Sequence, residues 1–299
     1  MSLFRLGIIT DEVSQDPAVA IQIAQEYGLE ALEFRSVDNQ PFHKLSDNRI
    51  TEIAAMVQEA GLVICGLSTP VFKCRLDAAQ EIEEHLGILK RSLDIAKQLK
   101  VKRIRGFSFW ADGEFDLKLP LIVEQLRRIE PHLQEAEVVY ALEFDPSLYA
   151  CNARKVRRVL DEVNSPWIQG LYDPGNDLWD PDGEVPYPDG YNALHGTIDH
   201  IHLKDAAKTE DGVRGVAIGR GEVDYKALLQ RLIEDQYSGY LVVETHYRLH
   251  SQLTEEQLKR PAGSDFSAGG EEASRECLDS LLVLLQELEL PNATARSRS

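Results

Sequence analysis

The feature that most constrains the fold of this 299-residue chain is a regular alternation of short β-type runs with longer helix-periodic runs. Alternation of this kind indicates parallel strands that are joined by crossover helices. The eight predicted strands are residues 4–9, 31–34, 62–67, 103–107, 138–143, 167–172, 200–203 and 240–244. The seven predicted helices are residues 17–27, 47–60, 78–99, 117–134, 153–163, 225–234 and 271–287, so only the sixth strand lacks a clear helix.

Eight such units predict an α/β protein with one (β/α)₈ TIM barrel. A barrel of this type takes about 250 residues, which the chain can supply as a single domain. No GxGxxG motif follows the first strand, and this disfavours a dinucleotide-binding doubly wound sheet. We expect the barrel to occupy residues 1–290, and we expect the polar segment 291–299 to be a disordered tail.

The net charge of the chain limits the classes of partner that it can bind. With 32 basic and 50 acidic side chains, the formal net charge is −18. Such a surface repels phosphate backbones and anionic lipids, so we expect neither nucleic acid nor a membrane as a partner. The four cysteines form no CxxC pair, and the N-terminal apolar run is too short for a signal peptide. These features predict a cytoplasmic protein.

Four ligand-type side chains fall at the ends of the last four predicted strands. Alternation along each strand places Glu143, Asp173, His202 and Glu244 on the inward face. Strands that close into a barrel bring their carboxyl ends together around the axis. We therefore expect these four side chains to converge, although they are separated by 30, 29 and 42 residues.

A divalent cation would explain this convergence. Three crowded carboxylates would raise one another's pKa unless a positive charge lay between them. Three oxygen donors and one imidazole suit Mn²⁺ or Mg²⁺ best, and Co²⁺ and Zn²⁺ are the alternatives. For His202 taken alone, a hydrogen-bonded barrel histidine remains the other interpretation.

Several stretches carry a resemblance to a known family. The chain resembles the sugar phosphate isomerase/epimerase family, the xylose isomerase-like TIM barrels, over nearly its whole length. The more specific matches are HIHLKD at 200–205 and the final VVE of GYLVVE at 239–244. The others are GIITDE at 7–12, LEFR at 32–35, LE at 142–143, DPGN at 173–176 and IGRGEVDY at 218–225.

The resemblance implies a divalent metal held by Glu143, Asp173, His202 and Glu244. It also implies that Glu143 and Glu244 are the catalytic proton-transfer pair of an isomerase or epimerase. The metal would chelate a substrate carbonyl and its neighbouring hydroxyl and so stabilise an enediolate. The substrate would be a small sugar, ketose or sugar phosphate, and a homo-oligomer is the expected assembly.

Five further side chains are predicted to contact the substrate. Lys204 shares the inward parity of His202, and His246 follows Glu244 by two residues. Asn176 lies in the DPGN turn, where the family pattern has a polar residue near the metal. Arg220 lies in the Gly-rich loop after the seventh strand, where barrels often bind phosphate, and Trp110 follows the fourth strand.

Another pair, Glu33 and Arg35, shares one face of the second strand. These side chains are either a plain internal ion pair or groups that orient a metal ligand or a substrate hydroxyl. The sequence does not separate the two roles.

Other functions fit the same barrel. A metal-dependent dehydratase of a keto-polyol, or an isomerase that uses a hydride shift, would have a similar sequence. A non-catalytic carbohydrate-binding barrel is a further alternative. An apurinic-site endonuclease is disfavoured, because it needs more histidine and acidic ligands and a basic face for DNA.

Overall fold

The computed structural model describes residues 4–210 and 212–296, and it describes side chains up to residue 288. Eight parallel strands form one closed barrel in which each strand pairs with its neighbours in sequence and β8 closes onto β1. The strands are β1 Arg5–Ile9, β2 Ala31–Phe34, β3 Val63–Ser68, β4 Arg103–Gly106, β5 Val139–Glu143, β6 Ile168–Tyr172, β7 Ile198–Leu203 and β8 Tyr240–Val243. The predicted single-domain TIM barrel is confirmed.

A helix follows each strand. The helices are α1 Pro17–Glu26, α2 Asp47–Glu59, α3 Ala79–Leu99, α4 Phe115–Ala136, α5 Ala153–Val163, α6 Tyr191–Leu194, α7 Tyr225–Glu234 and α8 Gly270–Arg296. Only α6 is reduced to about one turn, in agreement with the missing helical pattern after the sixth strand. The expected tail at 291–299 overlaps α8 as far as Arg296, and residues 297–299 lie outside the described part, so that boundary stays a prediction.

Local sequence explains where several helices begin. Asp16, Ser46, Asn152 and Asp224 each accept a hydrogen bond from a backbone N–H in the first turn of α1, α2, α5 and α7. These side chains satisfy donors that have no partner within the helix. Beyond the caps, the strands are buried almost throughout, and their outer faces pack with the helices into one large apolar core.

A smaller apolar cluster of Ile9, Ala31, Cys65, Tyr240 and Val242 joins β1, β2, β3 and β8. All four cysteines are free and buried. Among the described residues, no helix combines the length and apolar character needed to cross a membrane.

The loops at the carboxyl ends of the strands contain additional short elements. After β2, Ser36–Val37 pairs with Gln40–Pro41, and after β7, Asp205–Thr209 pairs antiparallel with Gly212–Val216. Short helices at Thr10–Val13, Phe42–Lys44, Asn176–Trp179 and Pro186–Gly190 follow β1, β2 and β6. The long segment after β8 holds the short helices Glu255–Lys259 and Gly263–Ser267. The sequence pattern did not predict the two hairpins.

Candidate metal centre and cavity

The four predicted ligands meet at the carboxyl end of the barrel. Glu143 is the last residue of β5, His202 lies near the end of β7, and Asp173 and Glu244 directly follow β6 and β8. One ligand atom from each side chain lies within 4.8 Å of the others, and all four residues are buried. Side chains from four separate βα units therefore form one compact donor set.

Glu33 fixes the orientation of the His202 ring. The Nδ1 atom of His202 lies 3.2 Å from Glu143 Oε1 and 3.6 Å from Glu244 Oε2, so this nitrogen faces the cluster. On the far side of the ring, Nε2 lies 3.3 Å from both carboxylate oxygens of Glu33. A carboxylate behind a ligating histidine is the usual support for such a ring. Glu33 also lies 2.7 Å from Nε2 of His200, so one carboxylate serves both histidines.

Arg35 holds the other side of the site. Its guanidinium donates to Glu244 at 2.8 Å, to Glu12 at 2.6 Å and to Asp11 at 3.1 Å. The orienting role considered for Glu33 and Arg35 therefore describes their contacts better than a pair between them, since each contacts a different member of the cluster.

Two more cations offset the crowded carboxylates. Lys204 Nζ lies 2.6 Å from Asp173 Oδ2 and 2.9 Å from Glu244 Oε2. Arg105 Nη1 lies 3.2 Å from Glu143 Oε2. Gly175 allows this arrangement, because a Cβ there would come within 2.6 Å of the Lys204 carbonyl oxygen. The DPGN turn can thus pack directly against the end of β7.

The three carboxylates of the cluster differ in the direction of their pKa shifts. Burial would raise the pKa of Glu143, but Arg105 and His202 hold it below its ordinary value. Burial would also raise the pKa of Glu244, but the positive charges of Lys204 and His246 hold that pKa well below its usual range. For Asp173, burial raises the pKa to about 7; Lys204 opposes this rise, and the neighbouring carboxylates of Glu244 and Glu143 add to it.

The residues present fit a divalent metal. One carboxylate keeps a raised pKa despite a lysine in contact with it, so the cluster is short of positive charge. Three oxygen donors and one imidazole within a few ångströms form a donor set that Mn²⁺, Mg²⁺, Co²⁺ and Zn²⁺ all accept.

A cavity of about 620 Å³ opens above the cluster. Of the five predicted substrate contacts, Lys204, Asn176, His246 and Trp110 line it. Asn176 donates from Nδ2 to the Phe144 carbonyl at 2.8 Å, and His246 Nδ1 lies 2.9 Å from Glu12. The cavity reaches from the metal-type cluster to the segment after β8, whose residues 258–262 form part of its lining.

Arg220 lies apart from these residues. It is not among the residues that line the cavity; its guanidinium contacts Glu276, and its side chain is 58% exposed. The neighbouring amides of Gly219 and Gly221 donate to Asp205 Oδ2, each at 2.9 Å. The Gly-rich loop therefore binds a carboxylate of this chain through the N–H groups that could have faced a phosphate.

Arg105 was missed in the sequence. Arg103 and Arg105 alternate along β4, so both point to the same side of the strand. The sequence signal that could have identified Arg105 is its position on the inward face of a strand, near the carboxyl end of that strand. The same signal identified His202. Arg105 is 6% exposed and lines the cavity next to Glu143.

The fold is a closed eight-stranded TIM barrel, and a buried cluster of possible metal ligands lies at the carboxyl ends of its strands. A family model described as xylose isomerase-like TIM barrel matches residues 21–268. The chain therefore belongs to the xylose isomerase-like TIM barrel family. No curated protein matches it in sequence.

Solved structures share the fold at low sequence identity. The IOLI protein with a bound zinc atom is 18% identical, with a TM-score of 0.73 over 95% of this chain and 99% of that one. A xylose isomerase-like TIM barrel protein from Mycobacterium smegmatis in complex with magnesium is 16% identical, with a TM-score of 0.66 over 95% and 99%. D-psicose 3-epimerase with D-tagatose from Clostridium cellulolyticum H10 is 16% identical, with a TM-score of 0.72 over 94% and 98%.

Proposed function

We propose that this protein is a divalent-metal-dependent isomerase or epimerase of a small sugar, ketose or sugar phosphate. The observation that carries the proposal is the convergence of Glu143, Asp173, His202 and Glu244 at the floor of a cavity large enough for such a substrate. Similar structures with zinc, with magnesium and with D-tagatose support it. Mn²⁺ or Mg²⁺ is the proposed ion, with Co²⁺ and Zn²⁺ as alternatives.

The four converging residues would hold the metal. When bound, it would supply Lewis-acid polarisation of a substrate carbonyl and its neighbouring hydroxyl, which acidifies the adjacent C–H bond. The protein's own contribution is to place two ionised carboxylates, Glu143 and Glu244, beside that bond.

The contacts of the two glutamates suit them to proton transfer. Glu143 directs Oε2 to Arg105 and Oε1 to His202, whereas Glu244 directs Oε1 to Arg35 and Oε2 to Lys204. Because the pKa of each is lowered, each is ionised near neutral pH and can accept a proton. One ionised glutamate would remove the proton, and the other would first take up a proton from solvent and then deliver it to the substrate, a transfer that typically contributes about 10²–10⁴-fold in rate.

The direct test is a panel of small sugars and sugar phosphates, assayed in D₂O with Mn²⁺, Mg²⁺, Co²⁺ and Zn²⁺ separately. We expect interconversion only with a divalent ion, and we expect solvent deuterium at the reacting carbon of the product. Product without deuterium would indicate a hydride shift, and loss of water would indicate a dehydratase. No metal-dependent conversion of any compound would contradict the proposal.

Location and assembly are part of the proposal. The four free, buried cysteines fit a reducing compartment, so we propose a cytoplasmic enzyme. We also propose a homo-oligomer, as the family resemblance implies.

A further inference from the structure

The cavity differs from the rest of the molecule in its charge. Six basic side chains line it, and the chain as a whole carries a net charge of −18. The basic residues are Arg35, Lys73, Arg105, Lys204, Lys259 and Arg260, and the acidic ones are Glu81, Glu143, Asp145, Glu244 and Glu255. A divalent ion on the floor would make this lining more positive still. Six basic and five acidic side chains leave the lining close to neutral, so an anion is repelled far less in this cleft than by the acidic molecule as a whole.

Not all of these cations are free to bind a ligand. Arg35 donates to three carboxylates, and Lys204 contacts two. Arg105 is different: its Nε atom is buried and has no hydrogen-bond partner among the described residues, and its nearest carboxylate contact is Glu143 at 3.2 Å. Its two carboxylate contacts, Glu143 at 3.2 Å and Glu244 at 3.8 Å, are both made by Nη1, so other N–H groups of this guanidinium, which lines the cavity, are left for a ligand.

Aromatic rings place two more cations beside Arg105. The Arg105 guanidinium carbon lies 4.8 Å from the centre of the Phe107 ring, and Lys73 Nζ lies 4.6 Å from the same centre. Lys73 Nζ lies 5.4 Å from the centre of the Trp110 ring, and the Arg260 guanidinium carbon lies 5.5 Å from the same centre. We call Lys73, Arg105 and Arg260, with Phe107 and Trp110, the basic wall.

The basic wall draws on three separate loops or strands. Arg105 comes from β4, Lys73 from the loop after β3, and Arg260 from the segment after β8. Asp145 contacts Lys73 at 2.8 Å, and Glu256 contacts Arg260 at 3.6 Å on the exposed rim. Each rim cation therefore has one carboxylate neighbour, which leaves donors on both for a bound oxyanion.

We propose that the substrate of this site carries an oxyanion, a phosphate or a carboxylate, that is bound by the basic wall. This inference rests on the proposed function for the reaction but identifies the chemical class of the substrate. Arg105 would contact the anion in the buried part of the cavity, and Lys73 and Arg260 would contact it from the rim. Neutral sugars would offer these cations no charged acceptor, so they would bind more weakly.

The test compares matched six-carbon probes. Binding of D-fructose, D-fructose 6-phosphate, D-gluconate and inorganic phosphate is measured by calorimetry on the full chain after metal removal with EDTA. We expect at least one of the two organic anions to bind roughly tenfold or more tightly than D-fructose, since a charged hydrogen bond contributes about 1.5–3 kcal/mol. Preference for the phosphate or for the carboxylate identifies which oxyanion the wall accepts. Equal or weaker binding of both anions, including no detectable binding, overturns the proposal.

Substitutions in the basic wall test whether the anion binds there. Arg260→Gln and Lys73→Gln should each reduce anion affinity several-fold more than they reduce D-fructose affinity, whereas Arg105→Gln should reduce anion affinity most. Arg220→Gln removes the same charge outside the cavity and is the matched control, with no expected effect. Anion preference that survives all three cavity substitutions overturns the proposal.

The two proposals fail separately. A protein that binds the anions at the basic wall and catalyses no metal-dependent conversion keeps this inference and loses the proposed function. A protein that interconverts neutral sugars with no preference for anions keeps the proposed function and loses this inference.

Discussion

At the scale of single residues, the site is defined by what each carboxylate contacts. Glu143 and Glu244 both approach Nδ1 of His202, and the nearest arginine is Arg105 for Glu143 and Arg35 for Glu244. Strand parity was enough to predict that these residues point inward. It could not predict that Arg105 contacts Glu143 or that Glu33 contacts both histidines, because those contacts depend on the register between distant strands.

Glu244→Gln tests the catalytic role of one glutamate. The amide cannot accept the proton, so we expect turnover to fall by at least 10²-fold while substrate still binds. Steady-state kinetics and calorimetry measure the two effects. Glu59→Gln, an exposed glutamate at the end of α2, is the matched control. Substantial residual turnover would remove Glu244 from the proton-transfer pair.

Glu33→Gln tests the support of His202. The neutral amide would hold the ring less firmly and lower its basicity, so we expect metal affinity to fall roughly 10–100-fold. Calorimetric titration with Mn²⁺ measures this affinity, and circular dichroism checks that the variant remains folded. Unchanged affinity in a folded variant would show that Glu33 has only a structural role.

Metal affinity should depend on pH in a defined direction. Burial raises the pKa of Asp173 to about 7, and Glu33 brings the pKa of His202 well above its ordinary value although burial opposes this. Both groups must lose their protons to bind a metal, so affinity should rise with pH, roughly tenfold per unit for each proton displaced. Titrations between pH 6 and 8, in buffers of different ionisation heat, count the protons released. Affinity that is constant over this range would contradict the account.

At the scale of elements, the periodicity of the sequence predicted the barrel strands and most of their helices to within a few residues, although α8 runs nine residues beyond its predicted end at residue 287. It missed the hairpins after β2 and β7, whose strands are two and five residues long. Runs this short carry too few residues for a period to be recognised. The hairpin after β7 depends instead on tertiary contacts, above all those of Asp205.

Asp205 connects the hairpin to the start of α7. Its carboxylate accepts hydrogen bonds from the amides of Ala206, Gly219, Gly221 and Val223, at 2.9, 2.9, 2.9 and 3.2 Å. Gly221 lies so close to Asp205 that a Cβ there would overlap the carboxylate. The loop after β7 is therefore folded around a single buried acid.

Asp205→Asn should loosen this loop. An amide group can accept fewer of these hydrogen bonds, so we expect a loss of about 2–3 kcal/mol in the free energy of unfolding of the loop. Faster hydrogen exchange at the amides of residues 219–223 measures the change, and Glu210→Gln on the exposed hairpin is the control. Exchange as slow as in the unsubstituted protein would show that Asp205 does not hold the loop.

At the scale of the whole molecule, closure of the barrel brings distant residues into one site. β8 pairs with β1 and β7, so Glu244 reaches both Arg35 from the second unit and Lys204 from the seventh. The convergence of four strand ends could be predicted because eight parallel strands have few ways to pack. The contents of the cavity above them could not, because its lining comes from loops without a period.

The central claim is that Glu143, Asp173, His202 and Glu244 hold one divalent ion. Crystals grown with Mn²⁺, with data collected near the manganese absorption edge, test it most directly, since the anomalous signal gives the position of the ion without assumption. The account predicts one strong peak within bonding distance of all four side chains. A peak elsewhere in the cavity, for example between Glu12, Glu244 and His246, or no peak at saturating Mn²⁺, would contradict it.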